Sequence, residues 1–211
     1  MSNTLPSKLS DAEEQAQNSI IAFLKDSNET RLSSTLKFEG LRLMPIVIRL
    51  ALNLTQNKIT SSLVWADAGG TALAKREAPD LKEEIFSYKD ILNQQESIDT
   101  NKLLICVSPQ PYDYIEFNQL CEQYSGRILM INGRLEDAAV GIGSVARERR
   151  RNFINSWNNI YWVEPISGGA LFYSYPSEWT LFKLYPDGYR KHKTFSRKPS
   201  SEILFEELNL N

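Results

Sequence analysis

Three short, uninterrupted apolar runs constrain this chain most: SSLVWAD (residues 61–67), KLLICVS (102–108) and GRILMIN (126–132). A strand with one wet face alternates apolar and polar residues, whereas a strand covered on both faces is apolar throughout, as strands of parallel sheets are. Parallel neighbours need long crossovers, and the stretches between these runs are long enough for helices. The expectation is an α/β fold: a mostly parallel, Rossmann-like sheet flanked by helices.

The remaining segments fit around that sheet. Ser10-Asp-Ala-Glu13 reads as a capping box opening a helix to about Lys25, with Ala12, Ala16, Ile20, Phe23 and Leu24 on one face. A strand is expected at 31–38. A helix follows near 41–54, with Pro45 in its first turn. From Asn159 the texture changes to aromatic-rich extended stretches, with Pro186-Asp187-Gly188 as a strong turn. An antiparallel meander and a terminal helix at 200–208 are therefore expected after the parallel sheet. The loop 93–101 reads as a mobile connection within one domain spanning residues 1–211.

Charge narrows the partners. The net charge is −2, which opposes a surface that is one broad nucleic-acid footprint. Yet residues 147–198 hold ten Lys or Arg against four acids, so that segment is basic and the remainder acidic. Cys106 lies mid-strand and Cys121 in an amphipathic helix, where thiols pack as small apolar groups, consistent with a reducing compartment. No secretion signal or membrane-spanning stretch is read, so a cytoplasmic location is expected.

Ligands in open parallel sheets bind where the carboxyl ends of the strands meet the loops. Those ends supply Asp67, Gly69, Gly70 and Thr71, then Ser108-Pro109-Gln110, then Asn132-Gly133-Arg134. Glycines before a helix let an anion approach backbone amides, but VWADAGGTALAKR is neither G-x-G-x-x-G nor a Walker loop. It reads more readily as a tight turn with Thr71 as cap. A helix from Ser144 places Ala146, Phe153, Ile154 and Trp157 on one face with Arg150 among them. Such an arginine needs a partner, either a carboxylate (Asp67, Glu136 or Asp137) or a bound anion. Asp67, Gly69, Gly70, Thr71, Ser108, Asn132, Arg134 and Arg150 are thus the candidate ligand-binding residues.

Arg147, Arg151, Arg190, Lys191 and Lys193 are the candidates for a basic partner-binding face. Nucleic acid is disfavoured there, because the nearby aromatics alternate as core residues do and no RRM-like or KH-like pattern occurs. Catalytic and metal-ligating residues are not identified, and no cofactor is expected. The single histidine, His192, sits in a basic extended stretch, so His-based metal or triad chemistry has nothing to work with.

The motifs DAGGTALAKR, INGRLEDAAVGIG, ERRRNFINSWNNIYWVEP, YSYPSEWTLF and RKPSSEI resemble, in order, a domain family of unknown function shared by cyanobacteria and chloroplasts. Members of that family include a plant factor for photosystem II accumulation and an extension on a plastid adenylate kinase. The resemblance covers the chain from about Ser61 onward. It implies a photosynthetic cell and a cytoplasmic or stromal protein that touches the thylakoid. Without a transit peptide, the chain resembles a cyanobacterial member. Gly133, where the pattern allows proline, and Ser174, where it has arginine, are departures. Two function classes follow as expectations. The first is a non-enzymatic auxiliary factor of the photosynthetic apparatus that binds a protein partner or the membrane periphery. The second is a nucleotide- or phosphometabolite-binding domain or enzyme using the strand-end loops.

Overall fold

The computed structural model describes residues 4–93, 99–135 and 143–209. Backbone contacts divide the chain into two compact units, one of residues 1–27, 34–41 and 160–211, the other of residues 28–33 and 42–159. The strand β1 (Arg31–Leu36) is divided between them.

The second unit holds the expected parallel sheet. Its strands β2 (Ser61–Trp65), β4 (Leu103–Val107) and β5 (Ile128–Ile131) are neighbours in that order, all parallel. A further parallel strand, β3 (Ile85–Ser87), adds to the free side of β2. Alternation sends Val64, Leu104, Cys106 and Ile128 into one core cluster, together with Phe117, Leu120 and Cys121 of α5 (Tyr114–Gln123) and Ile91 of α4 (Tyr88–Asn93). Leu63, Ile105 and Leu129 are equally buried on the opposite face. Helix α2 (Leu43–Gln56) packs on β2 and β4, burying Val47, Leu50 and Leu54, with Pro45 in its first turn as expected. Burial of both faces is the physical reason that these strands read as continuous apolar runs.

The first unit holds the antiparallel meander. Strands β6 (Asn158–Ile166), β7 (Gly169–Ser174), β8 (Trp179–Tyr185) and β9 (Gly188–Phe195) pair in sequence order, each antiparallel to the next. Helix α1 (Leu9–Asp26) lays Ala12, Ala16, Ile20 and Phe23 into the core, where Ala12 and Ala16 cluster with Tyr161, Val163 and Phe172. The Ser10–Glu13 capping box does not form, because the helix already begins at Leu9 with Lys8 as N-cap. Leu5 packs against the same core and draws the chain in early. The terminal helix α7 (Ser201–Asn209) closes the unit. The protein is therefore a mixed α/β fold with a parallel sheet core, a C-terminal antiparallel meander and a final helix. Among the described residues, no helix is long and apolar enough to cross a membrane. Of the expected mobile loop at 93–101, residues 94–98 lie outside the described residues.

Candidate functional site

The carboxyl ends of β2, β4 and β5 open onto one edge of the parallel sheet, and each end is fastened by its own polar groups. After β2, Asp67 is the N-cap of α3 (Ala68–Glu77): its carboxylate accepts the Gly70 amide at 2.8 Å. The Thr71 hydroxyl donates back to the Asp67 carbonyl at 2.8 Å, so Asp67 rather than the expected Thr71 supplies the cap. Gly70 lets the helix close on the strand, since a Cβ there would sit 2.9 Å from Trp65 Cδ1. Amides at a helix start attract anions, but here a carboxylate already holds one of them and repels a second negative charge.

The ends of β4 and β5 are stitched together. Ser108 and Asn132 both adopt left-handed backbone, with φ of 50° each, a conformation that costs an ordinary residue about 1–2 kcal/mol. The Ser108 amide donates to the Ile131 carbonyl at 2.7 Å, and the Arg134 amide to the Pro109 carbonyl at 2.9 Å. The Gln110 side-chain amide reaches the Ser108 carbonyl at 2.8 Å and its hydroxyl at 2.9 Å. The Ser108 hydroxyl in turn lies 3.4 Å from the Asn132 carbonyl. Among the described residues, none of these hydrogen-bond neighbours of Ser108 is a base. Gln110 and Asp113 form a reciprocal capping box around the turn Pro111–Asp113 that leads into α5. Burial, helped by the nearby charges of Glu116 and Asp67, lifts the Asp113 carboxyl above the ordinary aspartate value despite the Gln110 amide it accepts. Asp67 and Asp113 therefore share one neighbourhood at this edge.

Helix α6 (Ser144–Asn155) joins that edge through an aromatic clamp. Phe153 meets Tyr114 edge-on at 5.5 Å and Phe117 at 6.0 Å, while Trp157 stacks on Phe117 at 5.5 Å. Tyr88 stacks on Phe117 at 5.8 Å. The Tyr88 hydroxyl and the Trp157 indole N–H are buried without a hydrogen-bond partner among the described residues. Arg150 is partly buried, as its helical phase requires, and its guanidinium carbon lies 4.5 Å from the Tyr114 ring centroid. One of its partners is thus an aromatic face. Of the three carboxylates considered for that role, Asp67 is engaged in its cap, and Glu136 and Asp137 lie outside the described residues. Ala146, expected on the inner face, is exposed, because the whole first half of α6 faces solvent. Arg147, Arg149 and Arg151 are exposed along it.

The other basic candidates belong to the first unit. Arg190 pairs with Asp187 at 2.5 Å and lies over the Tyr185 ring at 5.0 Å. Lys193 pairs with Glu207 of α7, which also lies 3.5 Å from His192 Nε2. Lys191 is exposed on β9. Cations on an outer strand also guard its edge against pairing with other chains. Arg147 and Arg151 belong to the other unit.

Sequence reasoning missed the aromatic ring under Arg150 and the Asp113 cap. The second was legible as Gln110-Pro-Tyr-Asp113, a polar cap with Pro at the first helical position. The first was not, because Tyr114 and Arg150 are far apart in sequence. A family model described as "Domain of unknown function (DUF1995)" matches residues 6–205. No curated protein and no solved structure matches the chain significantly.

Proposed function

From the premise that the chain belongs to the DUF1995 family of domains of unknown function, we propose that it is a non-enzymatic auxiliary factor of the photosynthetic apparatus. It acts in photosystem assembly or accumulation by docking on an acidic protein surface at the thylakoid periphery. The photosynthetic setting rests on the resemblance of its motifs to the cyanobacterial and chloroplast family. The docking mode rests on one observation: α6 is locked at one end by Phe153 and Trp157 while Arg147, Arg149 and Arg151 stand in solvent. A rigid helix that holds cations outward favours charge-guided association, which salt weakens beyond roughly 8–10 Å.

The test is sedimentation with photosynthetic membranes at low and moderate salt, using wild type and Arg147→Gln/Arg149→Gln/Arg151→Gln. Wild type should bind at low salt and lose binding as salt rises, and the triple variant should bind weakly throughout. Salt-insensitive, equal sedimentation of both sinks the reading. A second reading, an anionic ligand at the strand ends, is favoured by the left-handed backbone of Ser108 and Asn132. A thermal shift with nucleotides or sugar phosphates that disappears in Arg134→Gln would favour it over the first.

A further inference from the structure

The β8–β9 hairpin ends in apolar side chains that the described residues of its own unit leave partly exposed. β8 is buried from Trp179 to Phe182 and exposed at Leu184 and Tyr185. The register sets Lys183 opposite Arg190, Leu184 opposite Tyr189 and Tyr185 opposite Gly188. The tip therefore presents Leu184, Tyr185 and Tyr189, which are 50%, 38% and 44% exposed. Asp187 in the turn is held by Arg190 at 2.5 Å, so that pair adds no net charge at the tip. Behind the tip stands Lys191, exposed on β9. At about 3.4 Å per residue, Lys191 lies roughly 7 Å behind Tyr189 along the strand.

We propose that this tip is a lipid-insertion element: Leu184, Tyr185 and Tyr189 enter the interfacial layer of an anionic bilayer while Lys191 meets lipid phosphates. Two magnitudes favour a bilayer over a protein partner. Three side chains of about 150–250 Å² each, less than half exposed on average, offer roughly 300 Å², far below the ~800 Å² per side of a stable protein interface. A bilayer needs only that apolar groups sink roughly 5–10 Å below the headgroup charges, which matches the tip-to-lysine offset. The inference rests on the docking reading only for its biological setting.

The experiment floats the full chain with vesicles of phosphatidylcholine alone or mixed with phosphatidylglycerol. Wild type should float with the mixed vesicles and far less with the neutral ones. Lys191→Gln should weaken binding about fivefold, the worth of one cation near an anionic surface. Leu184→Ser/Tyr189→Ser should weaken it at least about tenfold, by the loss of apolar burial. Unfolding curves of these variants should match wild type. Leu184→Trp should add fluorescence that brominated lipid quenches beyond the wild-type level. Failure of wild type to float with mixed vesicles overturns the proposal, as does flotation indifferent to Leu184→Ser/Tyr189→Ser. Binding to native membranes without binding to pure lipid overturns it while leaving the docking reading intact. Loss of native-membrane binding only in the α6 triple variant, with vesicle flotation unchanged, upholds the hairpin as a separate lipid contact.

Discussion

Replacing Arg150 tests how α6 is anchored. The guanidinium stacks over Tyr114 at 4.5 Å in a partly buried position, between the exposed and desolvated limits of a cation–π contact. Those limits are about 0.5–1 and about 2 kcal/mol, so the contact should contribute about 1 kcal/mol. Arg150→Ala also strips the aliphatic stem, raising the expected loss to about 1–2 kcal/mol. The assay is urea unfolding followed by circular dichroism for wild type, Arg150→Ala, Tyr114→Ala and the double variant. The cycle separates the ring from anything else that Arg150 touches, and a coupling near 1 kcal/mol is expected. Arg149→Ala, on the exposed side, should change stability by less than about 0.5 kcal/mol. A coupling near zero refutes the stacking account.

Tyr88→Phe should be neutral or stabilising by up to about 1–3 kcal/mol, because it deletes a buried hydroxyl that has no hydrogen-bond partner among the described residues; a clear loss in thermal unfolding contradicts this. Asp67→Ala should cost about 0.5–2 kcal/mol in chemical denaturation through the lost Gly70 cap, and an unchanged midpoint would mean that the cap is not formed. Burial pushes the Cys121 thiol up to about 12 and Cys106 well above its ordinary value. Neither should be alkylated by iodoacetamide at neutral pH until the chain unfolds, and mass spectrometry of the native protein checks this.

The parallel core was legible because burial on both faces writes itself as an unbroken apolar run, and the meander because strand-turn chemistry surrounds Pro186-Asp187-Gly188. Ile85–Ser87 escaped detection because three residues are too few to show a period. The Ser10–Glu13 signal misled because capping boxes are local, whereas the start of α1 is set by Leu5 against the tertiary core. At the site, the inward phase of Arg150 could be read from helical periodicity. Its ring could not, since it depends on how α5 and α6 cross. The two glycines after Asp67 could be read as either a cradle or a turn. The aspartate cap and the proximity of Trp65 fit the turn, and spacing alone reveals neither.

Docking through α6 is the central claim, and capture from detergent-solubilised photosynthetic membranes tests it most directly. Immobilised wild type and Arg147→Gln/Arg149→Gln/Arg151→Gln would be compared by quantitative mass spectrometry at low salt. The account predicts acidic photosystem or assembly proteins enriched on wild type and depleted on the variant, with both baits equally folded. Identical captured sets on the two baits would contradict it.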